Sequence, residues 1–180
     1  ILCYHRFSGS GGTGVGSAGT SASYGGKMVV SSASFAAQLD WLARNDFHVI
    51  RLSQLVAFLE GKQPLPRRSV VITIDDGYES VHRHALPVLR KYGFPATLFV
   101  YTDFIGAGDA LSWAQLQDLD ASGLVDVQPH SKTHRNLLDR VAGESDAAYR
   151  PTIELGVRAP RERLERRLGK PVRYYAYPYG

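Results

Sequence analysis

Two carboxylates and two imidazoles in this sequence have the types and spacing of a metal-dependent hydrolytic site. Asp75 and Asp76 follow at once on the apolar run Ser69-Val70-Val71-Ile72-Thr73-Ile74 and precede Gly77. A β-branched run closed by a glycine turn predicts a strand buried on both faces, with the carboxylates at its C-terminal end. Successive strand side chains point to opposite faces, so Asp75 and Asp76 are expected to diverge, one to bind a cation and one to move protons. His130 and His134, in His130-Ser131-Lys132-Thr133-His134, are spaced to share one side of a helical turn, and a tight loop allows the same convergence. Two imidazoles and one carboxylate would leave coordination positions open for water and substrate. Each motif alone has a plainer reading: Asp-Gly suits a turn or a helix cap, and the histidines suit a solvated polar loop. Together, each after a strand-like segment, they favour the metal site.

The elements that must hold these groups can be read from periodicity. Ile1 to Tyr4 predicts a first strand with His5 and Arg6 at its end. Residues 8–26 are dominated by glycine and serine and predict a flexible loop. Ser34 is the expected cap of a helix carrying Phe35, Leu39 and Leu42 and ending near Asn45. Phe47 to Ile50 predicts a strand, and Leu52 to Leu59 a helix stopped by Gly61. Residues 79–92 predict a helix up to Gly93, with Pro87 marking a kink or a late start. Ala96 to Tyr101 predicts a strand, Trp113 to Ser122 a helix, and Leu124 to Val127 the strand that delivers His130. Strands alternating with helices imply βαβ units and a parallel sheet. In barrel versions of that architecture chemistry gathers at the C-terminal strand ends, where His5, Asp75, Asp76 and His130 all fall.

Bulk composition narrows the class without naming a reaction. The chain has 180 residues, 44% hydrophobic and 21% charged, which fits one globular domain with a sizeable core. Its net charge of +4 is concentrated near the C-terminus, where Arg158, Arg161, Arg163, Arg166, Arg167, Lys170 and Arg173 outnumber Glu162 and Glu165. With Leu164 and Leu168 on one face, that segment reads as an amphipathic helix with a solvated side; no nucleic-acid-binding motif accompanies the charge. The single cysteine, Cys3, has no internal disulfide partner and reads as a small apolar packing residue. No stretch approaches a membrane span, and an export signal could have been removed or left out. His48, His82 and His84 read as surface or strand residues, and Trp113, Tyr78 and Tyr101 as core packing in preference to sugar stacking.

These motifs together resemble the polysaccharide deacetylase (NodB-homology) family, carbohydrate esterase family 4, over essentially the whole chain. Thr73-Ile74-Asp75-Asp76-Gly77 resembles the family's Thr-Phe-Asp-Asp-Gly, His130-Ser131-Lys132-Thr133-His134 its His-Ser-x-x-His, and Tyr177-Pro178-Tyr179-Gly180 the end of its Arg-x-Pro-Tyr-Gly. The resemblance implies an α/β fold, a distorted and incomplete (β/α) barrel of the polysaccharide deacetylase type, as a single catalytic domain over 1–180 whose final strands lie beyond Gly180. It implies Asp75 as general base and Asp76, His130 and His134 as ligands of a divalent metal, usually zinc. Tyr177, Pro178 and Tyr179 would bind substrate, Tyr179 lining the acetyl pocket and offering its backbone N–H to the oxyanion. Ala176 stands where many members carry the arginine that orients the base. The family's usual acid histidine lies beyond the third motif. The opening Cys3-Tyr4-His5-Arg6 is similar to the start of the poly-N-acetylglucosamine deacetylases, whose permuted motif order implies His5 as the acid, although a histidine merely closing a strand would look the same.

The expected reaction is therefore metal-dependent hydrolysis of N-acetyl groups from N-acetylglucosamine units of a polysaccharide, in an extracytoplasmic setting (periplasm or cell surface). Peptidoglycan or a small-molecule amide would suit the same site. A catalytically inactive carbohydrate-binding module is the alternative of a different class, favoured by the lost arginine and opposed by the complete metal trio.

Overall fold

The computed structural model describes residues 1–9, 28–140 and 143–179. A four-stranded parallel sheet carries the site, in the order β1 (Leu2–Tyr4), β6 (Ile72–Ile74), β7 (Ala96–Val100), β8 (Val125–Pro129). Two further parallel pairs flank it, β2 (Arg6–Ser8) with β3 (Val29–Ser31) and β4 (His48–Val49) with β5 (Ser69–Val70). Among the described residues five α-helices connect and cover these strands: α1 (Ser32–Arg44), α2 (Leu52–Leu59), α3 (Leu86–Tyr92), α4 (Trp113–Ala121) and α5 (Asp146–Leu168). The alternation of strand and helix is the predicted βαβ pattern, and no closed barrel forms among the described residues.

Sheet register sorts the side chains into two layers. Cys3 pairs with Thr73, Thr73 with Thr97, and Thr97 with Asp126, so these share one face. The opposite face carries Tyr4, Ile74, Leu98 and Val127, all buried, and packs on the helices. Phe35, Leu39 and Leu42 from α1, Leu86 and Leu89 from α3, and Leu116 and Leu119 from α4 complete that core. Burying these branched side chains stabilises the sheet by roughly 1.5–3 kcal/mol each before entropy is counted.

Several boundaries differ from the sequence reading, each for a local reason. The cap of α1 is Ser31, not Ser34: Ser31 is extended, and its hydroxyl accepts from the Ser34 N–H at 3.0 Å. The run Ser69 to Ile74 is two strands, not one. Its first half pairs with β4, whereas the Val71 carbonyl turns to accept from the Leu2 N–H at 2.8 Å and the second half joins β1 and β7. The strand expected over Phe47 to Ile50 is confined to His48 and Val49. The helix expected over 79–92 starts late: Val81–Ala85 forms a π turn, and α3 begins beside Pro87, whose missing N–H is harmless there, before ending on left-handed Gly93. The last helix is much longer than its charged segment, running from the Ser145 cap through Pro151 and Pro160. The loop expected over residues 8–26 lies, from residue 10 on, outside the described residues; Ser8 itself closes β2.

Several charges of the basic C-terminal segment are satisfied within the chain. Arg161 pairs with Glu165 at 3.1 Å, Arg163 and Arg167 sit over the Trp113 ring, and Lys170 bridges Asp120 and Asp126. No helix among the described residues is long and apolar enough to cross a membrane.

Candidate active site

His5, Asp75, Asp76 and His130 all follow directly on C-terminal strand ends, those of β1, β6 and β8. The Asp75 N–H donates to the Tyr4 carbonyl at 2.8 Å, which extends the β1–β6 pairing one step beyond β6. Asp76 then takes φ 74° and Gly77 φ 90°, turning the chain sharply away from the sheet. Gly77 is required there: a Cβ would lie 2.8 Å from Val100 Cγ1, in addition to the left-handed strain. The two carboxylates do diverge, and the left-handed turn contributes to this as well as strand alternation.

Asp76, His130 and His134 each present one ligand atom, all within 4.8 Å of one another. The Nε2 atoms of His134 and His130 lie 3.1 and 3.8 Å from Asp76 Oδ1. Neither contact is directed as a hydrogen bond, so Oδ1, although buried, has no hydrogen-bond partner among the described residues. An uncompensated buried carboxylate oxygen costs several kcal/mol in isolation, and a cation shared with the two imidazoles is what would satisfy it. The donor set therefore fits a divalent metal.

Electrostatics agree with a ligand role. Burial pushes the Asp76 carboxyl up, but adjacent His134, together with His5 and His130, outweighs it and holds Asp76 below the usual carboxylate range. Burial likewise holds His130 below the ordinary imidazole value, and Asp75, the Ala176 carbonyl and Asp76 only partly oppose this. A depressed His130 stays neutral at neutral pH, the form a cation needs.

Backbone strain and hydrogen bonds hold the imidazoles in place. The His-x-x-x-His segment is a loop, not a helical turn, with Ser131 at φ 77° and His134 at φ 59°. The Ser131 hydroxyl accepts from the His134 N–H at 2.9 Å. His130 Nδ1 lies 3.0 Å from the Ala176 carbonyl, so Nδ1 is the donor and Nε2 keeps its lone pair for Asp76's side of the site. Gln128 supplies the reason Ala176 is there. Its side-chain oxygen accepts from the Arg173 and Tyr174 N–H groups at 3.0 and 2.9 Å, while Ala176 N–H donates to Pro129. Tyr179, at φ 67°, brings its ring to 5.0 Å from that of His134; Tyr177 meets Tyr175 edge to face, and Pro178, between Tyr177 and Tyr179 in sequence, is buried.

On the other side of the turn, Cys3, His5 and Asp75 form a second group whose ligand atoms lie within 4.8 Å of one another. Cys3 Sγ donates to Asp75 Oδ2 at 3.3 Å. The residue is exposed at the outer strand of the sheet, yet its thiol turns inward, and desolvation followed by the Asp75 charge pushes it up to about 11. Sequence reasoning treated Cys3 as packing; the alternation Cys3, His5 along β1 against Thr73, Asp75 along β6 was the available signal. It also missed Tyr101, which stacks on Phe104 and reaches within 5.1 Å of the His134 ring. His82 pairs with Asp118 at 2.7 Å, His48 is exposed on β4, and His84 lies on the π turn, so none of them joins the site.

Residues 62–180 match the family model described as polysaccharide deacetylase. A poly-beta-1,6-N-acetyl-D-glucosamine N-deacetylase of Staphylococcus aureus is 30% identical over 156 residues, covering 84% of this chain and 53% of that protein. Its namesake from Staphylococcus epidermidis is also 30% identical, over 84% of this chain and 54% of that protein. The chain thus spans about half the length of these curated relatives. Among solved structures, IcaB from Ammonifex degensii has a TM-score of 0.80 at 31% identity, covering 99% of this chain and 73% of that one. A de-N-acetylase from Aggregatibacter actinomycetemcomitans, at 20% identity, shares the fold with a TM-score of 0.81 over 99% of this chain and 78% of that one.

Proposed function

The chain belongs to the polysaccharide deacetylase family, and from that premise we propose that it hydrolyses N-acetyl groups from N-acetylglucosamine units of a polysaccharide, as a single extracytoplasmic catalytic domain. The observation that carries this reading is the buried, unpartnered Asp76 Oδ1 facing two imidazole Nε2 atoms. Asp76, His130 and His134 would hold a divalent cation, with zinc the ion that suits one carboxylate and two imidazoles. Bound there, such an ion supplies a Lewis acid for the acetyl carbonyl and lowers the pKa of water toward about 7.

Asp75 is the base. It stands beside Asp76 in sequence but belongs to the other group of side chains, and so is free to take the proton of the attacking water. The tetrahedral oxyanion then accepts from the Tyr179 backbone N–H; one such donor is worth about 2.7–4 kcal/mol. His5, close to Asp75, gives a proton to the departing amine, which must leave as a neutral group. Tyr177 and Pro178 hold the turn that presents Tyr179 to the sugar. The stated relatives' names supply the glycan, a polymer of β-1,6-linked N-acetylglucosamine, as the substrate to try first.

Metal content and acetate release from that polymer, measured on the full-length protein, test the assignments together. Asp76→Asn and His134→Ala are expected to lose the bound metal. Asp75→Asn is expected to keep it and to turn over roughly 10²–10⁴-fold more slowly, the usual worth of a general base. Undiminished acetate release by Asp75→Asn would remove Asp75 from the role of base.

A further inference from the structure

The turn at Asp76 and Gly77 separates two sets of ligand-type atoms, and only one of them is used as a metal site in the proposed reaction. The second is Cys3, His5 and Asp75, brought together by strand register: Cys3 pairs with Thr73, so Cys3, His5, Thr73 and Asp75 project from the same face of two adjacent strands. We propose that Cys3, His5 and Asp75 form a second cation site, which takes a thiophilic divalent ion such as Zn²⁺ or Cd²⁺ and by filling shuts the enzyme off.

The geometry already approaches what zinc asks for. A tetrahedral zinc with ligands at about 2.0–2.3 Å sets its ligand atoms roughly 3.3–3.8 Å apart. Cys3 Sγ and Asp75 Oδ2 stand at 3.3 Å, and a His5 ring nitrogen lies within 4.8 Å of both, so the three need to draw together by about an ångström to share one ion. Neither Cys3 nor His5 is locked by burial. On binding, the ion forms a bond to sulfur and the thiol proton leaves to solvent. Three protein ligands leave a fourth position for water.

The chemistry of the two sets differs. One carboxylate and two imidazoles accept a range of divalent ions, whereas a sulfur ligand selects soft ones, so Mn²⁺ and Mg²⁺ should not fill the second set. Two dications on either side of adjacent aspartates repel, which makes the second site the weaker and the later to fill. The binding claim stands on the cluster alone. The inhibitory claim rests on the roles proposed above for Asp75 and His5, whose lone pairs the ion would occupy.

Because the sequence holds a single cysteine, a thiolate-to-metal charge-transfer band in the ultraviolet reports Cys3 and nothing else. The full-length protein, loaded with one equivalent of Zn²⁺, is titrated with Cd²⁺ while absorbance, bound metal and acetate release are followed. A second, weaker equivalent is expected, with the band growing as acetate release falls. Cys3→Ser, normalised to its own rate at one equivalent of Zn²⁺, should show no band, bind one equivalent, and need roughly tenfold or more excess metal for the same loss of rate. Excess Mn²⁺ should inhibit neither protein. Absence of the band, or equal metal stoichiometry in both proteins, overturns the site. A band that grows while acetate release is unchanged overturns the inhibition, and points to an error in the roles of Asp75 and His5 and not in the binding.

Discussion

Among the described residues six non-glycine positions have positive φ, and four of them, Asp76, Ser131, His134 and Tyr179, belong to the candidate site. Each such conformation costs of order 1–3 kcal/mol, and it persists only where neighbours over-determine it. Ser131 shows how. Its buried hydroxyl accepts from the His134 N–H, which fixes the loop between the two imidazoles. Ser131→Ala leaves the imidazoles themselves untouched and strands a backbone donor. We expect a loss of about 1–3 kcal/mol of stability and a fall of roughly 10–100-fold in metal affinity, with Asp76, His130 and His134 all still present. Calorimetric metal titration of the variant reads the second effect, and an affinity equal to the parent's would show that the hydroxyl does not hold His134. That His130 and His134 would converge was legible from spacing. That they do so in a strained loop was not, because left-handed backbone at Ser131 and His134 carries no residue-type signature such as glycine provides.

At the scale of elements, the order of strands and helices was legible and the joints between them were less so. Leu52–Leu59 and Trp113–Ala121 follow their sequence signals closely, since each starts at a residue in extended backbone and carries its own periodic apolar face. The Ser69 to Ile74 run could not reveal its division, because both halves are equally apolar and the break is set by which partner strand each meets. The extent of α5 was hidden by Pro151 and Pro160, each of which forfeits a helical hydrogen bond while tertiary contacts through Tyr149 and Leu164 keep the helix. The segment after α5 has no regular structure of its own, and a buried side chain of β8 is one of the groups that place it, beside the Pro129 carbonyl and Glu165. Gln128 accepts two of its N–H groups and thereby sets the Ala176 carbonyl against His130. Gln128→Ala should free that segment and with it the His130 ring. The expected outcome is a roughly tenfold weaker metal affinity with the other His130 neighbours intact, and faster amide exchange at Arg173 and Tyr174 than elsewhere in the sheet. Unchanged exchange at those two amides would mean that other contacts hold the segment.

For the molecule as a whole, three of the described groups are shifted far upward and stand around the C-terminal ends of the strands: Cys3 near the end of β1, Tyr101 just after β7, and Tyr175 on the final segment. Desolvation is the first cause for all three, followed for Cys3 by the Asp75 charge; it pushes Cys3 from 9.0 up to about 11, and Tyr101 and Tyr175 from 10.0 up to about 12. A group that holds its proton to higher pH folded than unfolded releases that proton on unfolding. Its stabilisation is therefore complete below the unfolded value and lost as pH rises through the folded one. The three together place the loss between about pH 9 and 12, and because each group is only half-buried, solvent screening keeps each share modest. The urea midpoint should hold level up to about pH 9 and then fall. Tyr101→Phe combined with Tyr175→Phe removes the two upper titrations while keeping both rings, so the double variant's midpoint should fall less steeply than the parent's between pH 10 and 12. Parallel curves for parent and variant over that range would show that these phenols are as solvated in the folded protein as in the unfolded chain, and that the mouth of the sheet is wetter than its packing implies.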